Sequence, residues 1–186
     1  MQWYQYLLIV AMTVLLLFVI INRKIRLFSL FVDQFKVFVK YNDQNEKQKI
    51  SWRDLIGFIL FPLVTSSALV WGFEFTFSIE VANLLTTFFS IIFTVLFGVS
   101  SVLLVRTNSN NKIERKAIME TFTSVVNAML LLIFSTVLLV VYVSQYGQVI
   151  INKIISNIVI SFSITSLLLI LLATKRIYIS FKESNT

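Results

Sequence analysis

Charge is confined to a few parts of this chain. No Asp, Glu, Lys or Arg occurs in residues 81–105, 121–152 or 154–174, and residues 1–22 are uncharged as well. An apolar run of about 18–20 residues is long enough to cross the ~30 Å hydrocarbon layer of a bilayer as a helix. With 58% hydrophobic residues among 186, a water-soluble domain of this size has too little interior to take up its apolar surface. The fold class read from the sequence is therefore all-α, a polytopic transmembrane helical bundle.

Apolar runs place five spans at 3–21, 54–71, 82–105, 118–143 and 149–173. The expected organisation is a signal-anchor span at 1–22, a cytoplasmic amphipathic and basic segment at 23–53, and a four-span bundle with a short cytoplasmic tail at 54–186. The first run has no basic stretch before it and no small-residue cleavage site, and Arg23 and Lys24 follow it, so it reads as a retained anchor. A four-span arrangement with that segment packed differently is the alternative.

The charges then choose an orientation. With the N-terminus outside, 15 of the 16 basic residues and 7 of the 9 acids fall on the cytoplasmic side, leaving Glu74, Glu80 and Lys153 outside. The opposite orientation would carry nearly all Lys and Arg across in short loops, against the positive-inside bias. N-out and C-in, in the inner membrane of a bacterium, is the expected placement. Trp52 and Trp71 bracket the second span, Trp3, Tyr4 and Tyr6 open the first, and Tyr178 closes the last, as interfacial aromatics do. Pro62, in mid-span, is expected to kink its helix.

Residues 23–41, "RKIRLFSLFVDQFKVFVKY", carry too much charge to span. On a helical wheel Asn22, Arg26, Ser29, Asp33, Lys36 and Lys40 form one stripe, and Phe28, Phe31, Phe35 and Phe38 lie opposite with Leu27, Val32 and Val39. Together with Arg23 and Lys24 this describes an amphipathic surface helix. Its basic edge suits an anionic cytoplasmic leaflet, where each Lys or Arg contributes ~1 kcal/mol. A site for a soluble cytoplasmic partner is the sharper reading. The segment also alternates, and a turn at "NDQN" would make it a small β-hairpin with "EKQKISW".

In the third span Asn83, Thr87, Ser90, Thr94, Gly98 and Ser101 fall within an arc of about 80° at 100° per residue. Small and hydroxylated residues let membrane helices approach closely, so one expectation is a packing face. The sharper ones are an oligomer face or a pore lining. Glu120, Ser124, Asn127 and Ser135 share a side of the fourth span, and Asn152, Ser156, Ser163 and Thr174 a side of the fifth. Asn127 and Asn157 are expected to bond across helices, because an unpaired amide in lipid is costly, and Glu120 to pair with Lys116 on the surface. The outer loop "GFEFTFSIEVA" alternates Phe73, Phe75, Phe77 and Ile79 with Glu74, Thr76, Ser78 and Glu80, which fits an extended segment. In an oligomer Glu74 and Glu80 would form a weak cation-attracting ring.

The chain has no histidine and no cysteine, which removes Ser-His, thiolate and the usual zinc chemistry. Its four glycines build no phosphate loop. The spans carry essentially no ionisable residue of the kind ion-coupled transporters place at membrane depth. No enzyme, cofactor, metal or direct nucleic-acid binding is expected, and the net charge of +7 is accounted for by topology.

The stretches "KISWRDLIGFILFPLV", "NLLTTFFSIIFTVLFGVSSVLLV", "RKAIMETFTSVVNAMLLLIFS" and "LLLATKRIYISF" together resemble small polytopic bacterial membrane proteins of mobile and anti-phage defence loci, of the Kiwa membrane-subunit type. The resemblance implies a gene beside a soluble partner and defines no functional residues. The functional expectation is a homo-oligomeric membrane sensor, anchor or effector of such a system. The alternatives are a small channel lined by Thr87, Ser90 and Thr94, or an immunity-type or transport accessory subunit.

Overall fold

The computed structural model describes residues 39–40, 49–50, 56–106, 112–144 and 147–184. The expected first span and most of 23–53 lie outside the described residues. From the latter segment, strands β1 (Val39–Lys40) and β2 (Lys49–Ile50) pair antiparallel, with Val39 opposite Ile50 and Lys40 opposite Lys49. At Val39 and Lys40 the backbone is therefore strand and not helix; the rest of the expected helical stripe, and the turn expected of the hairpin alternative, lie outside the described residues.

Beyond this pair the described chain is all helix. Helix α1 (Ile56–Gly72) is α-helical at Phe61–Ser67 and wound as π-helix on either side, at Ile56–Leu60 and Ala68–Gly72. Pro62 stands just past the change from π to α winding, so its missing N–H falls where the hydrogen-bond pattern of α1 switches. Helices α2 (Ile79–Arg106), α3 (Lys112–Ser144) and α4 (Val149–Ser184) are much longer. Each contains a stretch long and apolar enough to cross a membrane, whereas the described part of α1 is shorter. The charge-free runs mark the middles of these helices and not their ends. Lys, Arg and Glu are good helix formers, so α3 begins six residues before its expected span and α4 continues eleven past its own.

The main contacts run α1 to α4, α4 to α3 and α3 to α2, with the α3–α4 hairpin the most extensive. Helix α3 is therefore flanked on two sides and α2 on one. Half of the apolar window of α3 is buried, against 22% of that of α2. The core is formed by Phe89, Leu96 and Leu103 of α2, Val125, Leu132 and Leu139 of α3, and Val159, Leu169 and Ala173 of α4, among others.

The α1–α2 connection is irregular, which corrects the expected extended outer segment. Phe77 is buried, while Phe73 is 80% exposed and Phe75 exposed, so the alternation does not sort the phenylalanines to one side. Two backbone bonds, Phe73 N to Ala68 O and Phe75 N to Leu69 O, close the end of α1 with Glu74 in the left-handed conformation at φ 54°. The chain then turns into α2, where Ile79 is already helical and Glu80 sits in the first turn, favourably placed for the helix dipole.

Candidate functional site

The six residues of the α2 stripe are all exposed in the protomer. The face that α2 buries is a different one, carrying Ala82, Phe89, Leu96, Ser100 and Leu103. Packing of the stripe against the described helices is thereby corrected. Phenylalanine and leucine offer α3 far more contact area than serine and threonine, and they take the inward side. The stripe hydroxyls are nonetheless satisfied. Thr87 donates to Asn83 O, Ser90 to Thr86 O, Thr94 to Ser90 O and Ser101 to Phe97 O, at 2.9–3.2 Å. Donation to the carbonyl four residues back lets a hydroxyl face lipid or another helix without an orphaned proton. One edge of the stripe borders a groove of about 270 Å³ between α2 and α3, lined by Phe89, Ser90, Phe93 and Thr94 on one side and Leu132, Ile133, Thr136 and Val137 on the other.

The polar rows of the last two helices go inward in part. Ser124, Asn127 and Ser135 of the α3 row are buried with Thr121, and Asn152 and Ser156 of the α4 row are buried with Ser161 and Ser166, whereas Ser163 is half-buried and Thr174 exposed. Small polar residues at a helix–helix interface are what close approach in lipid favours. Asn157 reaches across to α1, with Nδ2 3.5 Å from Ser67 Oγ, as expected of an interhelical amide. Asn127 donates within its own helix, to Thr123 O at 3.0 Å.

The Glu120 carboxylate stands 3.7 Å from the Arg176 guanidinium of α4, a partner not among those expected. Helix α4 continues past its apolar run and brings Arg176 alongside α3, where the pair is partly shielded from water. The Lys116 side chain lies outside the described ones.

At the opposite end the α1–α2 connection is clasped from two helices. The Tyr142 hydroxyl of α3 donates to the Phe77 carbonyl, and the two rings meet edge to face with centroids 5.9 Å apart. From α4, Lys153 Nζ lies 3.6 Å from Glu74 and 5.8 Å above the Trp71 ring. Glu74 is 81% exposed, so this pair contributes at most about 1 kcal/mol, with a similar cation–π increment. Tyr142, Lys153 and Arg176 were not singled out as functional residues. The available signals were a tyrosine near the end of an apolar run and, in Lys153, the one basic residue between two such runs.

Of the remaining expected site residues, Arg23, Lys24, Arg26, Phe28, Phe31, Phe35, Lys36 and Phe38 lie outside the described residues. Glu74 and Glu80 are both exposed.

The class this defines is a helical bundle with three helices able, by length and composition, to cross a membrane. No protein-family model, curated protein or solved structure matches the chain.

Proposed function

We propose that this protein is a non-enzymatic integral membrane subunit that self-assembles through the exposed polar face of α2. The observation that carries this reading is the separation of the two faces of α2. Phe89, Leu96 and Leu103 pack inward. The six small or polar residues lie in line on the surface of the most exposed long helix, flanked by exposed apolar residues such as Phe88, Ile91 and Phe97. Such a row allows two helices to approach closely. In this reading the protein is the membrane sensor, anchor or effector of a bacterial anti-phage defence system. Its basic segment 23–53 meets a soluble cytoplasmic partner or the anionic leaflet. The defence context and the partner are supported by the sequence resemblance alone.

The absence of cysteine makes a direct test simple. In native membranes, oxidation of Ser90→Cys or Thr94→Cys should give a disulfide-linked dimer, and Val95→Cys, about 100° round the helix, should not. Equal cross-linking at all three positions, or none at any, would sink the assembly reading.

A channel is the second reading, and one observation favours it. The stripe hydroxyls donate inward along the helix, so their oxygens remain free to accept from water or to face a cation. Thr87→Leu with Thr94→Leu should then abolish conductance of purified protein in liposomes. Wild-type protein that conducts nothing removes this reading and leaves the first intact.

A further inference from the structure

Four polar oxygens in the half of the bundle nearest the α1–α2 connection have no hydrogen-bond partner among the described residues. They are Ser135 Oγ of α3 and Asn152 Oδ1, Ser156 Oγ and Asn157 Oδ1 of α4. Ser135 and Ser156 are completely buried, and Asn152 is 6% exposed. Counted from the helix ends at Ser144 and Val149, Asn152 lies about 5 Å in, Ser156 about 11 Å, Asn157 about 12 Å and Ser135 about 14 Å, at ~1.5 Å per residue. The four therefore occupy a band of depth less than ~10 Å thick.

Ser135 also lies on the side that α3 turns to α4. Helix α3 turns the Glu120 side towards α4, since that carboxylate meets Arg176. Ser135 lies about 60° from Glu120 around the helix and belongs to the same side. Asn152 and Ser156 are four residues apart, one turn above the other on α4. Asn157 lies about 100° further round, turned towards α1, where its amide nitrogen meets Ser67.

A buried serine in a helix can dispose of its proton on a carbonyl three or four residues back. Ser66, Ser100, Ser124 and Ser166 all do so here. Ser135 and Ser156 do not, and in lipid no bulk water is available to them. We propose that Ser135, Asn152 and Ser156 enclose an internal hydration site, holding one or two waters that enter from the α1–α2 end. Water suits this donor set: the hydroxyls donate and accept, the amide oxygen accepts, and a buried water typically makes about three bonds. A hard metal cation would call for about six oxygens, usually with carboxylate among them. The nearest charge in the sequence is instead the ammonium of Lys153.

The sign of a stability change tests it. If the site is dry, Ser135→Ala or Ser156→Ala removes an orphaned hydroxyl and the melting temperature in detergent rises. If it is hydrated, each alanine leaves the water short of a partner, and a fall of about 2–4 °C is expected. The double variant should fall by less than the sum, since one water is shared. Radical footprinting of the unmutated protein provides a readout independent of the variants. Tyr142, only 1% exposed and on the same side of α3, should be oxidised, and several-fold less so in Ser156→Val. A rise in melting temperature, an unlabelled Tyr142, or a melting temperature that changes when sodium is replaced by N-methylglucamine would each overturn the water assignment.

Discussion

The Tyr142 hydroxyl ties α3 to a carbonyl in the α1–α2 connection, 65 residues back in the chain, and the Tyr142 side chain is 1% exposed. Removing the hydroxyl leaves the Phe77 carbonyl without that donor, at a cost of about 1–3 kcal/mol for a buried group. Tyr142→Phe should therefore lower the melting temperature in detergent and make the Phe73–Ser78 connection more open to proteolysis, while the ring contact with Phe77 persists. The Glu120–Arg176 pair sits between the exposed and the buried regime, with side-chain exposures of 32% and 18%. Glu120→Ala should destabilise by more than the ~1 kcal/mol of a surface pair and less than the ~3–5 kcal/mol of a broken buried one. Adding Arg176→Met should restore most of the loss, because the uncompensated charge is then gone too; additive losses in thermal unfolding would contradict the pairing. Neither contact was legible in the sequence. Both join residues more than 50 positions apart, whereas periodicity reports only on a residue's own helix.

At the scale of elements, periodicity revealed the polar rows on three helices but not which way each would turn. A membrane helix has no water to send its polar side towards, so a row of serines and threonines can go inward or outward. Neighbours decide. On α3 and α4 most of each row is buried, with Thr174 left exposed. On α2 the bulky residues Phe89 and Leu96 take the interface with α3, and the row is left outside. The two faces of α2 should accordingly respond differently to substitution. Phe89→Ala removes the largest buried side chain of α2 and should cost about 3–5 kcal/mol. Thr94→Leu should leave the melting temperature of the protomer within a degree or two and act only on self-association, measured as the mass of the detergent-solubilised particle. Equal destabilisation by both would mean that the stripe is part of the protomer's own packing.

For the whole molecule, the charge pattern and the contacts describe the same axis. Glu74 and Lys153 meet at one end of the bundle, where Tyr142 also clasps the α1–α2 connection. Glu120 and Arg176 pair towards the other end, and the stretch between the two pairs on α3 and α4 carries no charge. Two charged ends separated by an uncharged middle are what a bilayer requires of a bundle, and this much was legible in the sequence alone. The end with Glu120 and Arg176 also receives Arg106 and Lys175, and the positive-inside bias predicts that this end faces the cytoplasm. Single cysteines in this cysteine-free chain read that orientation directly. Thr76→Cys, in the exposed α1–α2 connection, should react with a membrane-impermeant maleimide added to spheroplasts. Tyr178→Cys, at a position 68% exposed near the end of α4, should react only after permeabilisation. The reverse pattern would invert the protein in the membrane, and labelling of both from outside would mean that α4 does not carry the chain across.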